Sequence, residues 1–146
     1  MQPGLVALQA RLQHVFSDPS LLQRATTHRS FSADHNERLE FLGDRVLGLS
    51  VASWLYRAGD GPEGKLSQRL NALVSGATCA RIARSIGLPT HIRLGKQARD
   101  DGGADSDKIL GDVMEALIGA CFIESGFDAA QAMIYRLWSH ELEGDE

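Results

Sequence analysis

Three things are scarce in this 146-residue chain, and each scarcity removes a class of protein. No unbroken apolar stretch approaches the roughly 18 residues that a membrane-spanning helix requires. The opening MQPGLVALQARLQHVF has no basic start followed by an apolar block, so no signal peptide is expected either. Cysteine is limited to Cys79 and Cys121, far apart and set in apolar helical pattern. Two reduced, packed thiols in a cytoplasmic protein are expected, not a disulfide framework or a thiolate metal site. Positive charge is not in excess: 15 Lys and Arg stand against 19 Asp and Glu, a net charge of −4. That argues against a protein gripping a phosphate backbone with Lys and Arg alone. It leaves room for one that meets phosphate through metal ions, where the metal brings positive charge and the protein brings acids.

Strand-like alternation is also missing, and the 3.6-residue period dominates. The length suits one domain with a proper core, and 43% hydrophobic with 23% charged residues is ordinary for a globular chain. Leu5, Leu8, Leu12 and Val15 predict a first amphipathic helix. Ser17-Asp18-Pro19 opens a short helix through about Ala25. The polar THRSFSADHN then delivers Asn36 as N-cap of a long helix running to about Tyr56 and stopping near Gly59 and Gly61-Pro62. That helix is apolar almost all round, which predicts a central, buried position. EGKLSQRLNALVSGATCARIARSIG reads as one or two helices ending at Gly87-Leu88-Pro89, and residues 90–104 lose periodicity. Ser106 caps a helix through about Glu124, Gly126 punctuates, and AAQAMIYRLW forms a last amphipathic helix. The expectation is one all-α domain, a helical bundle around a buried acidic helix.

The long helix contains HNERLEFLGD, in which Glu37, Glu40 and Asp44 fall on one stripe that continues into Leu47 and Val51. Later, DKILGDVMEALIGACF sets Asp112 and Glu115 three apart, in phase with Gly119 and Phe122. An ionised carboxylate taken out of water unpaired costs several kcal/mol. A single acid of this kind is ordinarily a solvated or ion-paired group. Five acids on two helices, all in phase with apolar residues, point to a site. If the helices pack side by side, Glu40, Asp44, Asp112 and Glu115 converge and repel. Few cations share their phase, since Arg38 and Arg45 lie about a quarter-turn away, so a divalent ion is the expected compensation. Oxygen-only ligands select hard cations, Mg²⁺ with Mn²⁺ as substitute, and such a centre suits phosphodiester hydrolysis. Spacing alone names no substrate.

The stretch NERLEFLGDRVL closely resembles the signature of the ribonuclease III family. ATTHRSF, EGKLSQRLNALV and KILGDVMEALIGACFIESG resemble three further family segments in the same order, so the resemblance runs from about Leu8 to Trp138. It implies an all-α endonuclease domain that acts as a homodimer and cuts double-stranded RNA with Mg²⁺. The expected products have a short 3′ overhang, 5′-phosphate and 3′-hydroxyl ends, and the expected task is processing of rRNA and other structured precursors. By motif position, Glu40, Asp44, Asp112 and Glu115 would be the metal-binding acids, with Asp44 and Glu115 catalytic. Glu37 would lie in the RNA-contacting valley, and Phe41 would enter a socket on the partner subunit. Composition alone reads Phe41 as simple core.

The match has departures. Gly111 stands where Ala is commonest, and Leu70-Asn71 where many members carry Arg-Ala. Family members usually continue into a double-stranded-RNA-binding domain. Residues 1–146 contain none, so a nuclease domain separated from that module is expected, with weaker RNA affinity. His28 is expected to cap or brace the acidic helix; His91 and His140 have no suggestive neighbours. Lys96 and Arg99 could touch RNA, although a solvated loop is the plainer reading. An all-α nucleotide pyrophosphatase would also explain the acids but not the LEFLGD context. A non-catalytic RNA-binding domain on the same fold would tend to lose them. A di-iron bundle would want E-x-x-H pairs, and none occurs.

Overall fold

The computed structural model describes residues 3–59 and 61–143, and among these every regular element is helical. In chain order they are α1 (Pro3–Leu12), α2 (Pro19–Ala25), α3 (Glu37–Ala58), α4 (Glu63–Leu73), α5 (Gly76–Ser85), α6 (Lys96–Asp100), α7 (Asp107–Ser125), α8 (Phe127–Leu137) and α9 (Ser139–Glu143). Two 3₁₀ turns, Leu88–His91 and Gly103–Asp105, punctuate the stretch that lacks periodicity.

The helix starts follow local chemistry. Asp18 accepts from the Ser20 amide ahead of Pro19, and Ser106 accepts from the Ile109 amide, both as N-caps. Ser75 does the same for Thr78, which splits the predicted middle stretch into α4 and α5. Asn36 stands at the N-cap position of α3 but makes no capping bond. Its side-chain Nδ2 donates instead to the Ala25 carbonyl (3.2 Å), from a buried position. Val15 falls outside α1 and is exposed, since the helix ends at Leu12. The acidic C-terminal stretch contributes the short helix α9.

The centre of the molecule is α7. Its Leu110, Val113, Met114, Ala116, Leu117, Ile118, Ala120 and Cys121 are fully buried. Helices α3 and α5 make the broadest contacts with it, and α2 and α8 complete the surround. Trp138 closes the far end, fully buried, its indole N–H donating to the Leu73 carbonyl (2.8 Å). Helix α3 is less enclosed than its composition predicts. It buries Leu39, Val46, Leu47, Val51 and Leu55 but leaves Phe41 (64%), Leu49 (60%) and Tyr56 (79%) exposed along one stripe. Phe41 is therefore not core within this chain. Cys79 and Cys121 are free and buried, and burial pushes their thiols up to about 12 and about 11. They are packed, inert groups, as expected.

Candidate active site

Two glycines bring the acidic helices together. A methyl group at Gly43 of α3 would overlap the Glu115 carbonyl of α7, and one at Gly119 of α7 would overlap the Leu39 carbonyl of α3. Only hydrogen fits at either point, so the two backbones touch and the acids between them are forced into one volume.

Glu40, Asp112 and Glu115 each offer an oxygen within 4.8 Å of the others, and all three are half-buried. Asp44 stands at the edge of this group. It shares a hydrogen bond with Glu115, while its Oδ2 accepts from Arg45 Nη1 (2.6 Å). Glu37, Glu40 and Asp112 line an open concavity of about 560 Å³ together with His28, Arg29 and Lys108. Glu37 faces Arg29 at 3.4 Å. Sequence position puts Phe41 one residue from Glu40, yet its ring points outward, 5.0 Å below the Arg45 guanidinium.

The electrostatics match four acids held closer than their charges allow. Burial, above all, raises Glu115 to about 9, helped by its hydrogen bond to Asp44 and by the charges of Asp44, Glu40 and Asp112. Burial and then the charge of Asp112 raise Glu40 to about 7. Hydrogen bonding toward Asp112 adds to the rise of Glu40. The field reaches Cys79 as well, since Glu115, Asp44 and Asp112 add to the rise of its thiol. Without a cation the cluster must hold protons near neutral pH.

Two cations do approach. Arg45 reaches back from the neighbouring position to Asp44, which the quarter-turn argument did not anticipate, because a long side chain folds across that angle. Lys108, one turn before Asp112 on α7, donates to Asp112 Oδ2 (2.9 Å). Its i,i+4 spacing to Asp112 is the signal in the sequence that marks this partner. Both basic side chains are largely exposed, and exposed pairs of this kind contribute at most about 1 kcal/mol. They do not neutralise Glu40 or Glu115. The donor set is oxygen-only, half-buried and short of positive charge, which fits a hard divalent cation.

The loop from Thr26 to Asn36 fixes the start of α3. Thr27 pairs with Arg93 in an isolated parallel bridge, and the Asn36 amide donates to the Thr27 carbonyl (3.0 Å). His28 braces the loop rather than the helix: its Nδ1 lies 2.7 Å from Ser30 Oγ and accepts from the Ser30 amide. Burial lowers the His28 pKa, with Arg29 adding to the effect. No helical or strand period marks this bracing in the sequence, because His28 and Ser30 lie two residues apart in an irregular stretch.

Fold and site together define an all-helical domain with a half-buried acidic cluster between two helices. The Ribonuclease-III-like family matches residues 18–141, and the chain belongs to that family. It is 58% identical over 140 residues to Ribonuclease 3 of Zymomonas mobilis, covering 95% of this chain and 57% of that protein. It is 55% identical over 139 residues to Ribonuclease 3 of Albidiferax ferrireducens, covering 94% and 61%. The chain thus spans about three-fifths of the length of these relatives. Its fold matches the crystal structure of the nuclease domain of ribonuclease III from Campylobacter jejuni with a TM-score of 0.92 and 35% identity, covering 99% of this chain and 100% of that one. A second structure of that domain, described for flexibility in a region involved in dimer formation, matches with a TM-score of 0.87 and 41% identity over 90% and 93% of the two chains. Among the described residues no helix is long and apolar enough to cross a membrane.

Proposed function

We propose that this chain is the nuclease domain of a metal-dependent endoribonuclease that cuts double-stranded RNA as a homodimer in the cytoplasm. The observation that carries the reading is the convergence of Glu40, Asp112 and Glu115 beside an open valley. Membership of the family supports it.

Glu40, Asp112 and Glu115 are the residues that would hold Mg²⁺, or Mn²⁺ in its place. Asp44 would complete the set by turning from Arg45, and its hydrogen bond to Glu115 keeps that carboxylate aimed into the site. The ion would supply positive charge to the scissile phosphate and lower the pKa of the attacking water. The protein's own part is positioning. The Gly43–Glu115 approach sets the separation of the acids, and Lys108 holds Asp112 in place. Glu37 and Arg29 face the same valley and are placed to meet the RNA backbone. Recognition by A-form shape, 2′-hydroxyls and phosphates suits a valley without base-reading loops.

The exposed stripe of Phe41, Leu49 and Tyr56 supports a two-fold partner, since large apolar groups in line on one helix mark a contact surface. A C₂ dimer would present two acid sites to the two strands of a duplex. One offset cut per strand leaves a short 3′ overhang with 5′-phosphate and 3′-hydroxyl ends. The corresponding cellular task is maturation of rRNA and other structured precursors, with tRNA and mRNA among them. The relatives continue beyond the span matched here. A double-stranded-RNA-binding module there would supply affinity that a chain of net charge −4 lacks.

The test is cleavage of a long RNA duplex in Mg²⁺ by the parent and by Glu115→Gln. The variant keeps the shape and removes one anionic ligand, so a loss of about 100-fold or more is expected. Equal cutting by both proteins would defeat the assignment of this cluster. Hydrolysis of nucleoside triphosphates with the duplex left intact would favour a pyrophosphatase instead.

A further inference from the structure

A second concavity, of about 250 Å³, shares no lining residue with the acid valley. Its lining includes Thr26, Phe31, His91, Ile92, Arg93 and Arg99. No Asp or Glu lines it. Arg24, Arg29, Arg45, Arg81, Arg84, Lys96 and Lys108 all sit against carboxylates. Among the described residues neither Arg93 nor Arg99 forms an ion pair, yet the two share one cavity.

Both arginines are held in place. The Arg93 guanidinium lies over the Phe31 ring, 4.6 Å from its centroid. Its backbone is pinned on both sides, its amide donating to the Thr26 carbonyl (2.8 Å) and its carbonyl accepting from the His28 amide (3.0 Å). Arg99 spends one N–H on the Ile92 carbonyl (3.3 Å) and lines the cavity. Thr26 and Thr90 direct their hydroxyls to backbone carbonyls of their own turns, so the arginines and the Gln23 amide are the side-chain donors left. Burial lowers the His91 pKa. Two guanidinium groups lining one concavity with no acid beside them give it a positive potential that favours an anion. Their planar forks match tetrahedral oxyanions, and holding them beforehand lowers the entropy lost on binding.

We propose that the cavity between Arg93 and Arg99 is a binding site for a phosphate group. Its ligand is a free phosphate or phosphate monoester, or else a phosphate of a polynucleotide backbone. The site is separate from the acid cluster and does not rest on the nuclease reading; a chain that never cut RNA would still show it. Because Arg93 is bonded to Thr26 and His28, an occupant there would also stiffen the loop that carries His28 and Arg29 into the valley.

The test uses the chain as it stands, with no metal and no RNA. Sodium phosphate is titrated at constant ionic strength against sodium chloride, and both the melting temperature and the guanidinium Nε–H resonances are followed. The expected result is a saturable rise in melting temperature and shifts confined to Arg93, Arg99 and their neighbours. Arg99→Gln, on the exposed helix α6, should weaken phosphate roughly tenfold, the worth of one charge-assisted hydrogen bond. Arg93→Gln should weaken it at least as much. Adding an RNA duplex in Ca²⁺ then separates the sources. Displacement of phosphate assigns the site to a polynucleotide backbone, and its retention assigns it to the free ion or monoester. No saturable response in the parent, or a response unchanged in both variants, overturns the proposal.

Discussion

Gly43 and Glu115 meet with no room for a side chain between them: the α-carbon of one helix rests against the backbone carbonyl of the other. This contact, more than any single acid, determines whether Glu40, Asp112 and Glu115 share a volume.

Gly43→Ala should therefore act at a distance from the carboxylates. Overpacking typically costs about 1–3 kcal/mol, and here the obstacle is backbone, which cannot swing aside. We expect the variant to lose at least about 2 kcal/mol of stability in urea melts. Whatever folded protein remains should bind Mn²⁺ more weakly, as read by paramagnetic resonance. Unaltered Mn²⁺ affinity in a folded Gly43→Ala protein would show that the approach does not set the site.

The pH dependence of the metal-free protein should carry a distinctive sign. Glu40 and Glu115 are raised from 4.5 to about 7 and about 9. Across that window the folded state holds more protons than the unfolded one, so its stability falls as pH rises. Thermal melts in EDTA should drop from pH 5 toward pH 9. Saturating Mg²⁺ should flatten or reverse the trend by replacing the protons, and Glu115→Gln should shrink it. Melts in EDTA that rise over the same range would rule out this account of the cluster.

Phe41 offers a test of assembly that leaves the acids untouched. Its ring is 64% exposed in the single chain, so Phe41→Ala should fold with little loss of monomer stability. If the stripe with Leu49 and Tyr56 forms the dimer contact, losing a central aromatic should weaken association by about 2 kcal/mol, roughly 30-fold. Sedimentation equilibrium reads this directly. A dimer that survives Phe41→Ala and Leu49→Glu alike would place the contact elsewhere.

The acids were legible because helical phase is local information: spacings of three and four residues fix which side chains share a face, whatever the rest of the chain does. The capping residues Asp18 and Ser106 were legible for the same reason. Asn36 shows where that reasoning ends. Its position before α3 was readable, but its hydrogen bond goes to Ala25 across the loop, and no local rule predicts such a partner. Phe41 and Tyr56 mark the same boundary from the other side. An apolar residue on an apolar helix reads as core, and only the packing of α7 against one face of α3 decides which face stays outside.

The sequence by itself determined that this protein is all-helical, that five acids ride on two apolar helices, and which family those motifs resemble. Each follows from order and spacing along the chain. The tertiary structure alone decided that Glu40, Asp112 and Glu115 form the tight group while Asp44 leans toward Arg45. It alone decided that Arg93 and Arg99 share an acid-free cavity. Those are relations between residues brought together by the closeness of two backbones and the course of one loop, and they exist only once the core around α7 has formed.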